Sequence, residues 1–195
     1  GSEMCIRDRY WGHYNLRERV SEYFVAQHEG LSMDQAKSID VLESNGTKSS
    51  QINNGTNAEW KALITKVKTL SPGKNPEDLQ YILDNIDVDN YFDYVILECL
   101  FANTDTGNIR FYKVPGGKWK WIYYDFCWSF GASENRTNHQ TLSIRRLSSK
   151  PCSDLFNALL KNSDWRDRFC RRFAELLNTI YAPETVLAKI DELYA

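Results

Sequence analysis

The run from Asp87 to Tyr124 limits this chain more than any other part of it. From Val88 to Ala102 the apolar residues Tyr91, Tyr94, Val95, Leu97, Cys99 and Phe101 leave few positions for water on a helix. A helix that is apolar on nearly every side must be packed on nearly every side. Asp87 supplies the short acceptor side chain that an N-cap requires. A polar turn, Asn103 to Asn108, follows at once. Two strand patterns come next, Ile109 to Val114 and Lys118 to Tyr124, joined by Pro115-Gly-Gly117. The predicted unit is a buried pillar helix, a tight polar turn and a hairpin, and the other elements have to pack around the pillar.

The 195 residues suffice for one substantial core or two small ones. Tyr10 to Glu18 alternates large and small residues as a strand does, and Arg19 to His28 carries Val20, Tyr23, Phe24 and Gln27 at helical spacing before Gly30. Ile39 to Leu42 is a short strand, and the Ser-, Asn- and Gly-rich stretch from Glu43 to Asn57 predicts a surface loop. Trp60, Leu63, Ile64 and Val67 share one face of a helix over Ala58 to Leu70, and Pro76 opens a shorter helix to Leu83. Phe130 to Lys150 is polar and irregular. Three helices then follow, Ser153 to Leu160, Asp164 to Tyr181 and Pro183 to Tyr194. The fold class is α+β, mostly helical, with a β-hairpin and a residual N-terminal strand.

Composition excludes several functions. With a net charge of −2 and basic residues scattered through the chain, no nucleic-acid surface is expected. The richest apolar stretch, Tyr94 to Ala102, is interrupted by Glu98 and is far too short to span a membrane. Five cysteines form no CxxC pair, and the three histidines, His13, His28 and His139, lie far apart, so no zinc site is predicted. Cys99 and Cys170 sit in apolar helical patterns and are expected to be buried thiols. The 26 aromatic residues (6 Trp, 11 Tyr, 9 Phe) suit a core and clefts built from large rings, with Trp121 or Trp128 able to stack on a planar ligand or to serve as core.

The chemistry-bearing residues flank the hairpin. Asp105 lies on a turn tightened by Gly107 and can orient or deprotonate a hydroxyl, while Asn108 offers an amide oxygen. Such residues also dominate turns for backbone reasons alone. Asp125 alters the balance, because it ends an aromatic strand where a carboxylate needs a cation or hydrogen-bond donors. The end of one hairpin arm lies near the start of the other, so Asp105, Asn108 and Asp125 are expected to converge. Three oxygen ligands of this kind suit Mg2+ shared with phosphates. Arg110 and Lys113 alternate with apolar residues, as on a solvated strand face or, less often, in a phosphate clamp. Arg145-Arg146 could meet phosphate or an acidic substrate, or nothing.

The order of these motifs resembles the CotH family of spore-coat-type atypical kinases. The resemblance rests on Tyr10-x-Gly12-x-Tyr14-x-Leu16-x-Glu18, Asn103-x-Asp105 with Asn108 after a helix, the hairpin, Asp125 between aromatic residues with Trp128 following, and the tail containing Asn162-Ser-Asp-Trp-Arg-Asp-Arg-Phe169 and Pro183-Glu-Thr-Val186. It implies a protein-kinase-like C-terminal lobe whose hairpin carries the metal site. It also implies Mg2+ and ATP as cofactors, and transfer of the γ-phosphate to Ser or Thr of secreted or coat proteins of a bacterium, at the cell surface or spore coat. Asp105 would be the catalytic aspartate, and Asn108 and Asp125 the residues that hold metal and nucleotide. Glu18 resembles the family's glutamate and could pair with a lysine. Two departures stand out. The Asp105 to Asn108 spacing is shorter than the roughly five-residue interval of protein-kinase catalytic loops, and Cys127 replaces a second acidic residue with a poor magnesium ligand.

Residues 1–9 have the character of a tag scar followed by a translated sequencing adapter, which leaves residues 10–195 as a single domain fragment. In the family resembled, the glycine-bearing strands and phosphate-binding lysine precede the position of Tyr10. Little kinase activity is therefore expected of the fragment itself, and its uncovered apolar face is expected to allow self-association. The reading from a different class is a non-catalytic structural or binding module of a coat or cell surface. Cys127 and the short turn favour that module, and retention of both aspartates favours the kinase.

Overall fold

The computed structural model describes residues 2–6, 9–14, 18–45, 48–103, 105, 107–129 and 152–194. Strands β1 (Ser2–Ile6) and β2 (Arg9–Tyr14) pair antiparallel as a separate ribbon, so the expected N-terminal strand takes residues 2–6 as its partner. The main sheet is antiparallel, with β3 (Asp40–Asn45), β4 (Lys48–Asn54), β5 (Ile109–Lys113) and β6 (Lys120–Ile122) in the order β4-β3-β5-β6. The helices are α1 (Glu22–His28), α2 (Met33–Ala36), α3 (Ala58–Val67), α4 (Pro76–Asn85), α5 (Val88–Leu100), α6 (Cys152–Leu159), α7 (Ser163–Leu177) and α8 (Pro183–Tyr194). The α+β class is as expected. Among the described residues no helix is long and apolar enough to cross a membrane.

One expectation fails in an instructive way. The polar stretch from Glu43 to Asn57 is not a loop: its middle is β4, the outer strand of a hairpin with β3. A strand at a sheet edge needs backbone partners on one side only, so the exposed Gln51, Ile52 and Asn53 can face water without weakening it. Its end is tied down by side chains. Asn54 Nδ2 donates to the Ile39 carbonyl at 2.7 Å, and the Thr56 backbone N–H donates to Asp40 Oδ1 at 2.7 Å.

Strand alternation sends side chains to two cores. Leu42, Ile109, Phe111 and Trp121 face α3, α5, α6 and α7 in the larger core, where Trp60, Phe111, Trp119 and Trp121 meet with ring centroids 4.4–6.0 Å apart. Val41, Ile122, Tyr112 and Tyr124 face the other way and pack with Val25, Ala26 and Ala36 of α1 and α2. The sheet is therefore covered on both faces. On α7, Phe169, Phe173 and Leu176 follow the helical period inward, which turns Cys170 outward. Cys170 is exposed and Cys99 only partly buried, contrary to the buried thiols expected at both positions.

The pillar is fixed to the sheet at its N-terminal end. Asp87 caps α5 through a hydrogen bond from the Asn90 N–H to Oδ1, 3.1 Å, as its sequence position predicted. Along the free edge of β6, the Trp119 N–H donates to the Asn85 carbonyl and the Asp87 N–H to the Trp119 carbonyl, at 2.9 and 3.0 Å. The Asn90 side chain continues that edge, donating from Nδ2 to the Trp121 carbonyl at 3.1 Å and accepting from the Trp121 N–H at 2.6 Å. A helix side chain thus acts as one residue of a missing strand. The short connection from Leu100 to Ile109 keeps the C-terminal end of α5 near the start of β5.

Candidate active site

The site begins where α5 stops. The Asn103 N–H donates to the Glu98 carbonyl at 3.0 Å and the Ala102 N–H to the Cys99 carbonyl at 3.2 Å, the paired bonds of a Schellman ending. Helix α1 ends in the same way on Gly30, with φ of 67°. In α5 the left-handed position falls to Ala102, φ 50°, although glycine takes it with least strain.

Two side-chain turns then steer the chain. Asn103, buried, accepts from the Asp105 N–H through Oδ1 at 3.1 Å, and Asp105 Oδ1 accepts from the Gly107 N–H at 2.8 Å. These Asx contacts are the turn chemistry legible in the sequence. They also leave Asp105 Oδ2 facing Asn108. The Asn108 amide Nδ2 donates to Asp105 Oδ2 at 3.0 Å and to Asp125 Oδ2 at 3.1 Å. The three residues singled out from the sequence are therefore neighbours, all half-buried and so within reach of solvent and ligand.

Asn108 and Asp125 both have left-handed backbones, with φ of 54° and 56°. With Ala102 they are the non-glycine residues of positive φ among the described residues, and all three lie at this one place. Such conformations are held at a cost by their surroundings, and they concentrate at functional sites. The residues flanking Asp125 supply the hold. Tyr123 stacks on Tyr94 of α5 at 6.2 Å, Tyr124 lies under the Arg110 guanidinium at 4.0 Å, and Phe126 meets Phe101 edge-on at 5.6 Å. Burial, reinforced by the negative charge of Asp93, raises the pKa of the Tyr123 hydroxyl.

The donor chemistry fits a hard divalent cation. A single amide –NH2 rests between two carboxylates, a place where positive charge is favoured. A half-turn of that amide presents Oδ1 instead, and three oxygen donors then surround the same point. Among the described residues no three His, Cys, Asp or Glu side chains form a metal-binding group, so the donor set here is two carboxylates and one amide. Cys127, two residues beyond Asp125, is exposed.

The other candidates divide clearly. Arg110 and Lys113 are not on a solvated face. Arg110 pairs with Glu43 at 3.1 Å beneath the cover of α1, and Lys113 pairs with Glu59 of α3. The sheet has helices on both faces, which the alternation in β5 alone could not reveal. Trp121 is core, whereas Trp128 is exposed near Asp125. His28 bonds the Phe24 carbonyl at 2.9 Å within its own helix, and Glu18 is exposed. Arg145, Arg146 and His139 lie outside the described residues, as does the His13 side chain. Sequence reasoning missed Asn90 and gave Arg110 the wrong surroundings. No local pattern marks either one, since their partners are distant in sequence.

The whole of residues 2–195 matches the family model described as CotH kinase protein. No curated protein and no solved structure matches the chain significantly.

Proposed function

The chain belongs to the CotH kinase family, and from that premise we propose that Asp105, Asn108 and Asp125 form the metal and acceptor side of a phosphoryl-transfer site, on a lobe of protein-kinase type. The reaction is transfer of the γ-phosphate of ATP to Ser or Thr hydroxyls of secreted or coat proteins. The observation that carries this reading is the Asn108 amide bridging the two carboxylates at 3.0 and 3.1 Å, with both Asn108 and Asp125 held in left-handed conformations.

Each residue has a role that its geometry allows. Asp105 has one oxygen fixed by the Gly107 N–H, which orients the second. That second oxygen can accept the hydrogen bond, and then the proton, of an acceptor hydroxyl. Asp125 and Asn108 are the residues that would hold Mg2+, and bound Mg2+ would neutralise charge on the phosphate oxygens. The aromatic flanks of Asp125 keep its carboxylate turned toward Asn108. The half-burial of the site limits water around a nucleophile without closing the site off.

The test is phosphate incorporation from γ-labelled ATP, with Mg2+, into the full natural gene product, compared with its Asp105→Asn and Asp125→Asn forms. Loss of incorporation in both variants is expected, and equal incorporation in all three would remove the assignment. A non-catalytic coat or surface module is favoured by one observation, a donor set that among the described residues holds two carboxylates and one amide, with Cys127 exposed beside it. That module would fold normally and incorporate no label in any form.

A further inference from the structure

Arg110 is the most completely engaged cation near the site. Its Nε donates to Glu43 Oε2 at 3.1 Å, its Nη1 donates to the Val20 carbonyl at 2.9 Å, and its guanidinium carbon lies 4.0 Å from the centre of the Tyr124 ring. The side chains of Arg110 and Glu43 are only 17% and 15% exposed, so the pair is poorly screened by water. Arg110 is two residues beyond Asn108, and Tyr124 is the residue before Asp125. In the ladder Arg110 stands opposite Ile122, which makes Tyr124 its diagonal neighbour on the same face.

Ladder pairing between β5 and β6 does not reach the site. The last pair on that side is Arg110 with Ile122, and the chain past Ile122 has left regular strand structure before Asp125. Something other than backbone hydrogen bonds must therefore hold the Asp125 arm against the Asn108 arm. Both residues have left-handed φ values, so the arm would relax if released. Resting on the reading of the site proposed above, we infer that Arg110 is its positioning residue: the guanidinium, fixed by Glu43 of β3 and the Val20 carbonyl, clamps Tyr124 and so keeps Asp125 in hydrogen-bonding reach of Asn108. Arg110 touches no reacting atom in this role. It acts through Tyr124, and it ties the segment leading into α1 to the metal-binding pair.

The chemistry of the clamp suggests gentle variants. Arg110→Lys keeps the charge but loses the planar surface and the fork of donors. Tyr124→Leu removes the ring, and Tyr124→Phe restores it. The primary readout is the side-chain amide signal of Asn108 in nitrogen-15 NMR of the metal-free chain. Arg110→Lys and Tyr124→Leu should shift or broaden that signal while amides of α7 stay in place, and Tyr124→Phe should leave it as in the wild type. An unchanged Asn108 amide in Arg110→Lys overturns the inference, as does an equal disturbance in Tyr124→Phe. Mn2+ affinity gives the second readout, with about tenfold weaker binding expected in Arg110→Lys, as for partners that orient metal ligands. Wild-type binding of Mn2+ that is indifferent to Asp125→Asn would instead remove the metal reading, with the clamp still decided by the amide signal.

Discussion

The side chain of Asn90 pairs with both backbone groups of Trp121, donating to its carbonyl at 3.1 Å and accepting from its N–H at 2.6 Å. Two residues 31 positions apart thus complete the ladder on the free edge of β6 and fix α5 against the sheet. Truncation to Asn90→Ala leaves a backbone donor and acceptor without these partners in a half-buried place. A loss of about 2–3 kcal/mol is expected from urea unfolding. A loss below about 0.5 kcal/mol would show that solvent replaces the amide freely.

The bridge made by Asn108 predicts how a third carboxylate would behave. Asn108→Asp replaces a donor between Asp105 and Asp125 with an acceptor, and three negative groups then crowd one point. Without divalent metal, the variant should lose about 1–3 kcal/mol of stability. Millimolar Mg2+ should recover much of that loss and should stabilise the variant more than the wild type. Thermal unfolding with and without Mg2+ decides the matter, and an equal response of both proteins would count against convergence of the three side chains.

Ala102 occupies a left-handed position, φ 50°, that α1 assigns to Gly30. Ala102→Gly should relieve the contact of Cβ with its own backbone. The gain from relief exceeds the added freedom of the unfolded chain, giving a net stabilisation of up to about 1 kcal/mol in chemical denaturation. A loss of 1 kcal/mol would mean that the methyl group packs usefully at the end of α5.

Glu29 joins α1 to the sheet, accepting from the Tyr112 hydroxyl at 2.6 Å and from Lys120 Nζ at 2.7 Å. Burial by itself would raise its pKa, but the Lys120 and Tyr112 hydrogen bonds and the Lys120 charge together hold it below the usual 4.5. A carboxylate with a depressed folded pKa stabilises the protein above its unfolded pKa, and the contribution fades as pH falls through the folded value. Glu29→Gln should therefore be about 1–2 kcal/mol less stable at neutral pH, with the deficit shrinking below pH 4.5. A deficit that stays constant down to acid pH would show that charge is not the basis of the contact.

The helices were legible because their signals are local. Asp87 caps where predicted, Pro76 and Pro183 open their helices, and the apolar period of Trp60, Leu63, Ile64 and Val67 faces the core as its spacing requires. The hairpin followed from Pro115-Gly-Gly117 between two strand patterns. Strand β4 was not legible, because an edge strand needs no apolar side chains and its polar residues look like a loop. Arg110 was misjudged for a related reason. Alternation along β5 says which residues share a face but not what covers that face.

For the candidate site, sequence alone determined the residue types and the economy of the turn: Asp105 and Gly107 shape a tight loop, and Asn108 and Asp125 flank a hairpin. Hairpin geometry also led to the expectation that the three side chains converge, and only the tertiary structure decided that the Asn108 amide bridges the two carboxylates, that Asn108 and Asp125 take left-handed backbones, and that Arg110 reaches Glu43 across 67 residues while lying over Tyr124. The physical reason is range. Caps, turns and hairpins arise from neighbours close in sequence, whereas the contacts of Asn90 and Arg110 depend on which strand pairs with which, and on the helix that seals the edge of the sheet.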